Sequence, residues 1–460
     1  MIRKITTAFF ILSCTPIVYA QRVVSEQLKA PIQQAISSNR GLQGQYMETE
    51  KVRIEANMVK NKLLPSVSAA GFYSYFNTGG KLDIPTANIP NTSINLFEGA
   101  QDFRLQGQVG LLGVTATQVI FSGLQISNGQ KALQEKAKAQ QYLAEASKET
   151  IAKDIINTFD QLMLLKEVQK LIDDSEKRLE KEHLKVSKAI ENGLAIPYDR
   201  EKIKLAMLEL EAKKVELNGS RELIYQKLEQ DTHLSLSELK KIDYELLEIL
   251  LSDYPESIEN RNELKALDAS QKAYEYVYKK EKGSGLPQVF AFGSASYSNV
   301  FNSKLTLQDL SLLGDVRLRS DQLQLFPTFL VGVGAKWEIF RGGEHKNKLR
   351  QAKLDIDINQ NKKDDAREKL TLLLKKNRVE YNTSNQKLKV NDQQVQVAKN
   401  NFNLSLKQYH EGLIDVTELL ATENDYYKST LGYFSQLLQQ RKSALEVLHT
   451  SGDLLDNILK

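Results

Sequence analysis

The chain has 460 residues, 41% of them apolar, enough to bury a sizeable core spread over two or three ordinary domains. Its 62 basic residues stand against 58 acidic ones, a formal charge of +4 that falls to +2 without Arg3 and Lys4, so composition argues against a nucleic-acid partner. Only 9 prolines and 24 glycines interrupt it, a scarcity of breakers that favours long helices.

Arg3 and Lys4 precede an apolar run, Ala8 to Leu12, and Val18-Tyr19-Ala20 precedes Gln21. Residues 1–20 therefore read as a secretory signal peptide cut after Ala20. A competing reading makes Ile11-Leu12-Ser13-Cys14 a lipoprotein box with Cys14 acylated, although the segment before it is short. Cys14 is the single cysteine, and its removal leaves a chain without disulfide or thiolate chemistry. Beyond the signal no run of about 18 apolar residues occurs, so a bilayer crossing would have to use β-strands closed into a barrel.

A first structural repeat is expected over residues 21–232. Residues 24 to 63 carry Leu28, Ile32, Ala35, Leu42, Val52 and Val59 at helical spacing and end at Leu64-Pro65. Strands follow at about 65–77 and 108–122, antiparallel and joined by a long loop, about 78–107, that holds Gly79-Gly80, Pro85 and Pro90. From about 124 to 191 the strong helix formers dominate, with Leu165, Ile172, Leu179 and Val186 every seven residues as in a coiled-coil seam. Such a helix would be about 100 Å long. Asn192-Gly193 stops it, and Pro197 opens a return helix to Thr232.

A connector, 233–254, leads to a second repeat over 255–450, opened by Pro255. Asn260-Arg261 and Leu264 loosely echo Asn39-Arg40 and Leu42 in its first helix, which ends at Gly283-Ser284-Gly285. Strands are expected at about 286–299 and 327–341, separated by a loop at about 300–326. In the last strand Phe329, Val331, Val333 and Ala335 alternate with Leu330, Gly332, Gly334 and Lys336, which gives one apolar face and one small or charged face. These would face lipid and lumen in a membrane barrel, or core and water in a soluble sheet. The second long helix, about 344–410, carries the unbroken heptads Leu374, Tyr381, Leu388, Val395, Phe402 and Tyr409, and its return helix covers about 415–449. The tail, 451–460, is uninformative.

The two repeats share landmark residues at fixed offsets. Gly113, Val114, Ala116, Ile120, Phe121 and Gly123 recur at an offset of 219 as Gly332, Val333, Ala335, Ile339, Phe340 and Gly342, and Gly193 recurs as Gly412 at the same offset. Leu64-Pro65 answers Leu286-Pro287 at an offset of 222, so the length change falls in the loop between strands. The chain is a tandem duplication of helix, strand, strand, long helix and return helix. It supplies four strands, whereas the smallest membrane barrels need about eight. A membrane-spanning form must therefore be an oligomer sharing one barrel.

The signal peptide, the doubled Leu-Pro opening of a strand, the doubled Ile-Phe-x-Gly end of a strand and the glycine turn 72 residues later together resemble the TolC-type outer-membrane efflux proteins, over about residues 22–450. The resemblance implies a mainly α fold with membrane β: long-helix hairpins forming an α-barrel in the periplasm, and four transmembrane strands per chain in a shared twelve-stranded barrel of a homotrimer. It further implies a passive exit duct for efflux or type I secretion, opened at its helix tips by a periplasmic adaptor and an inner-membrane pump of RND or ABC type, with outer-membrane lipid around the strands. Phe121, Gly123, Phe340 and Gly342 would mark the strand–helix junctions, and Gly193-Leu194 and Gly412-Leu413 the tips that meet the adaptor. Asp199 and Glu418 each stand six residues after their glycine. Acids there suit the positive end of a helix dipole; the resemblance adds that Asp199 with Tyr409 holds the entrance shut and that Glu418 lines a constriction. Two positions depart from the family pattern: Ile414 stands where an arginine is expected, and Ala421 where a second acid is expected. The entrance would then be leakier or differently latched, unless Lys407, His410 or Glu423 substitutes.

No catalytic constellation, phosphate-binding glycine motif or metal-ligand spacing is present, and His183, His233, His345, His410 and His449 are scattered. No cofactor and no enzymatic activity are expected. The alternative to a duct is a secreted or periplasmic coiled-coil structural protein. A periplasmic adaptor would need compact β domains that four strand segments do not provide.

Overall fold

A computed structural model describes residues 24–83, 87–88, 90–93, 95–97, 99–251, 257–310 and 314–459. The expected signal peptide with Cys14, and Pro255 at the opening of the second repeat, lie outside them. The elements are α1 (Lys29–Ser38), α2 (Arg40–Asn61), β1 (Ser66–Asp83), the short β2 (Ala87–Asn88) and β3 (Asn95–Phe97), β4 (Ala100–Phe121), α3 (Gln125–Glu191), α4 (Pro197–Thr232) and α5 (Leu236–Leu239). They continue with α6 (Asn262–Gly283), β5 (Gln288–Leu310), β6 (Gly314–Lys336), α7 (Glu344–His410), α8 (Val416–Ser451) and α9 (Leu454–Leu459).

Four details depart from the sequence expectations. The first helix is broken: Asn39 is extended and its Oδ1 accepts from Leu42 N at 2.8 Å, so a side chain that competes with helical bonding caps a new helix instead of continuing the old one. The two long loops are largely strand. β1 pairs with β4 from Ser66↔Thr117 to Asp83↔Ala100, and β5 with β6 out to Leu310↔Gly314. Segments such as Lys304-Leu305-Thr306-Leu307 and Val316-Arg317-Leu318-Arg319 have the period-two pattern of strands, masked by their polar composition. The strand expected to reach residue 341 stops at Lys336, opposite Gln288. Pro287, lacking an N–H, precedes the first residue of β5, so Trp337 to Phe340 have no ladder partner. The tail forms α9, with Leu454 and Ile458 buried in the core.

The long strands form one antiparallel sheet, β1-β4-β5-β6, so the centre of the sheet joins the last strand of one repeat to the first of the next. One face carries Val67 and Ala69, Val114 and Ala116, Ala291 and Ala295, then Val331 and Val333, brought into lateral register. The apolar set read in β6 thus extends across all four strands.

Contacts divide the chain into two compact units that cut across the repeats. Among the described residues, one holds those through Thr49, those within Lys138–Asp268 and those from Asn361 on; the other holds those within Glu50–Ala137 and Ala269–Gln360. Each unit takes segments from both copies. In the first unit the α3 seam, Ile172, Leu179 and Val186, packs with Ile203, Leu210 and Leu217 of α4, also seven residues apart. A larger core gathers Ile32, Phe159, Leu162, Leu228, Tyr381 and Leu445.

The connector proves to be part of that core. Ser235 and Glu238 make a capping box for α5, and Leu239, Leu246 and Ile249 are buried. Its extended backbone is satisfied by side chains. Ile249 N donates to Gln440 Oε1 at 3.0 Å, Gln440 Nε2 and Tyr381 OH donate to Ile249 O at 2.8 and 2.9 Å, and Arg441 Nη1 donates to Leu247 O at 2.6 Å.

Candidate functional site

The two helix turns are built alike. α3 ends with Leu194 N donating to Ala189 O at 2.8 Å and Gly193 N to Ile190 O at 3.0 Å; α7 ends with Leu413 N to Gln408 O at 2.9 Å and Gly412 N to Tyr409 O at 3.0 Å. Both are Schellman ends, and the glycines take φ of +70° and +73°, which a residue with a Cβ rarely adopts. Leu194 and Leu413, at 82% and 72% exposure, point into water, an orientation that gains nothing for the isolated chain.

After the turns the copies differ. α4 opens with Pro197 in its first turn and no side-chain cap, while α8 is capped by Asp415, whose Oδ1 accepts from Glu418 N at 2.9 Å. Those bonds hold the Asp415 carboxyl below its ordinary pKa. Glu418 is exposed. Tyr409 is half-buried, and its hydroxyl pKa is raised by burial and by the nearby carboxylates of Glu182 and Asp199. Tyr409 and Asp199 are therefore neighbours, but among the described residues no hydrogen bond joins them.

Most of the cross-helix ties here join a residue named from the sequence, His410 or Glu423, to one that was not. Arg178 of α3 donates through Nε to Glu423 Oε1 of α8 at 3.1 Å and through Nη2 to Ser175 Oγ at 2.8 Å, and it lies 5.4 Å from the Phe402 ring centre of α7. Burial pushes the Glu423 carboxyl up while Arg178 pulls it back. One turn on, Lys185 donates to Glu182 Oε1 at 2.8 Å and to His410 Nε2 at 3.0 Å, and His410 Nε2 lies 3.3 Å from the same Glu182 oxygen. Lys202 of α4 donates to Thr417 Oγ1 of α8 at 2.5 Å. A cavity of 260 Å³ lies among Arg178, Glu182, Phe402, His410 and Glu423. His410 and Glu423, two of the three named substitutes for the missing family residues, thus do bridge helices; Lys407 makes no ion pair among the described residues. The sequence signal for Arg178 and Glu182 was their place beside seam residue Leu179, where charged side chains set helix pairing.

At the strand–helix junctions Gly123 has φ of +63° and its backbone abuts that of Gly283; a Cβ on Gly123 would lie 2.3 Å from Gly283 O. Gly342, with φ of +51°, stands in open space, and Phe340 is far more exposed than Phe121. Trp337 Nε1 donates to Gly285 O at 3.0 Å. Among the described residues no cluster of His, Cys, Asp and Glu could hold a metal, and no helix is long and apolar enough to cross a membrane.

The sequence profile of the outer membrane efflux protein family matches residues 254–451. No curated protein sequence matches the chain. Among solved structures, a membrane protein from Pseudomonas aeruginosa superposes with a TM-score of 0.71 at 13% identity, covering 94% of each chain. The CmeC outer membrane channel of Campylobacter jejuni gives 0.69 at 14% identity, covering 93% of this chain and 86% of that one. The open state of the MtrE outer membrane channel of Neisseria gonorrhoeae gives 0.67 at 15%, covering 93% and 89%. The duplicated long-helix hairpin carrying four antiparallel strands is the fold that the chain shares with these proteins. The second repeat thus carries the sequence profile of the outer membrane efflux proteins, and more than nine-tenths of the chain shares the fold of solved outer membrane channels.

Proposed function

We propose that three copies of this chain close a twelve-stranded barrel and a continuous helical duct, through which a periplasmic adaptor and an inner-membrane pump of RND or ABC type expel cargo. The observation that carries this is the incompleteness of the single chain. β1 and β6 are edge strands of a four-stranded sheet whose apolar face is exposed, with Val67, Val331 and Val333 each more than two-thirds accessible. Open edges with apolar faces call for partners. The helices repeat the message: Leu208 and Val215 on α4, and Val390, Val397 and Leu404 on α7, form exposed seven-residue stripes separate from the buried seams. An exposed heptad stripe is a coiled-coil seam awaiting another chain.

At the entrance, the latch joins Tyr409 and Asp199 with the ties Arg178–Glu423 and Glu182–His410, and Glu418 lines the constriction. Leu194 and Leu413 are the adaptor contacts; their exposure on identical turns supports this role. In planar bilayers Tyr409→Phe with Asp199→Ala, and separately Arg178→Gln, should raise the closed-state conductance. The oligomer itself is checked by outer-membrane fractionation: the protein should resist carbonate and high-salt washes and migrate as a heat-dissociable trimer. A stable water-soluble monomer that never enters lipid would instead be the coiled-coil structural protein.

A further inference from the structure

β5 carries a bulge that turns a register into a site. Gln108 pairs with Phe301 and Gln106 with Lys304, so two residues of β5 oppose Gly107, and Asn302 at this point has φ of +50°. A non-glycine residue in the left-handed region is strained, and bulges re-aim side chains. Before the bulge the even-numbered residues of β5 share the face of Gly113 and Thr115, opposite the apolar one; after it, Lys304 and Thr306 stand beside Gln106 and Arg104 on the apolar side. β6 continues both rows. Arg319 is opposite Lys304, and Arg317 is opposite Thr306.

Four exposed cations, Arg104, Lys304, Arg317 and Arg319, therefore share one face within a patch about 10 by 7 Å, from strand spacing and rise. Like charges directly opposite across a ladder are destabilising, yet Lys304 faces Arg319 and, among the described residues, none of the four makes an ion pair. The carboxylate of Asp102 is taken by Lys81 at 3.8 Å. Asp315 and Asp321 flank the β6 arginines along the strand, two carboxylates against four cations, so the patch keeps a net positive charge.

Its depth is fixed by the strands. Moving along β4 on the same face, Ala116, Val114 and Leu112 give way to Gly110, opposite Tyr73, then Gln108, opposite Tyr75, and finally Arg104. An apolar band followed by tyrosines marks the interface of a membrane sheet. Arg104 lies 13 residues from Thr117, at the helix end of the strand, so about 43 Å along it and roughly 33 Å along the membrane normal at a tilt of about 40°. That is just past an apolar band of about 25 Å.

We propose that Arg104, Lys304, Arg317 and Arg319 form a docking site for the phosphate groups of a lipid headgroup in the leaflet farther from the helices. The inference rests on the channel reading above. Arginine forks hold phosphate bidentately, lysine as a point charge, and an anion relieves the repulsion across the ladder. The tyrosines lie where the acyl chains meet the headgroup.

The test uses full-length protein, delipidated in a non-ionic detergent and titrated with diphosphoryl lipid A, with the same lipid dephosphorylated, and with inorganic phosphate, bound lipid being read by native mass spectrometry. Saturable binding of the phosphorylated lipid is expected, weakened tenfold or more in Lys304→Gln/Arg319→Gln and unchanged in Lys81→Gln. Equal binding of the dephosphorylated lipid, an unaltered affinity in the double variant, or inorganic phosphate binding as tightly as the lipid would each overturn the proposal. Conductance of the same preparations in planar bilayers separates the two claims. A conducting protein indifferent to lipid phosphate overturns only this site, and a protein that never conducts overturns the channel reading beneath it.

Discussion

Asp160 and Arg441 are almost wholly buried, and Arg441 meets Asp160 through two bonds, Nε to Oδ2 at 2.8 Å and Nη2 to Oδ1 at 3.0 Å, while Tyr244 donates to Asp160 Oδ1 at 2.7 Å. Removing one partner leaves an uncompensated buried charge, so Asp160→Asn or Arg441→Met should cost roughly 3–5 kcal/mol in denaturant unfolding, and the double replacement less than the sum. Glu149 and His449 make a second residue-scale prediction. Burial of Glu149, only partly offset by Arg261, raises its pKa to about 7, and burial of His449 lowers its pKa to about 3. Folded Glu149 keeps a proton the unfolded chain has released, so its share of stability falls as pH rises from about 4.5 to about 7. His449 acts in reverse: the unfolded chain gains a proton that the folded one refuses, and stability falls as pH drops from 6.5 towards 3. The two slopes oppose each other between about 4.5 and 6.5. Melting temperatures across pH should show Glu149→Gln losing more stability on acidification than the parent, and His449→Gln losing more on the way up to neutrality.

At the scale of elements, two glycines of similar φ have different reasons to be glycine. Gly412 stands in open space, so Gly412→Ala should cost only the left-handed strain, about 1–2 kcal/mol. Gly123 adds a backbone contact with Gly283 that no side-chain motion relieves, so Gly123→Ala should lower the melting temperature far more. The helix ends were legible in sequence because capping is local: Asn192-Gly193, Pro197 and Gly412 act on the backbone beside them. The outer parts of the strands were not. Lys304, Arg317 and Arg319 read as loop residues, and only pairing with a neighbouring strand reveals that they belong to a ladder. The side chains around the helix turns were partly legible: Tyr409 and Asp199, singled out together, are neighbours, whereas Arg178–Glu423 joins residues 245 apart in sequence, a distance no local pattern spans.

For the whole molecule, the exposed stripe Val390, Val397 and Leu404 should matter to assembly and not to the chain's own fold. Val397→Glu should leave helix content unchanged by circular dichroism but abolish the slow, heat-dissociable species on native gels. Leu179→Ala, in the buried seam, should cost about 2–5 kcal/mol of stability.

The sequence by itself determined the duplication, the helix ends, both heptad seams and the count of four long strands, because each is written in spacing or local backbone chemistry. Tertiary structure alone decided that β4 pairs with β5 across the two repeats, that the connector threads the core on bonds from Gln440, Arg441 and Tyr381, and that a bulge at Asn302 brings four cations to one face. These depend on which distant residues become neighbours. Register and pairing are settled by the packing of the whole chain.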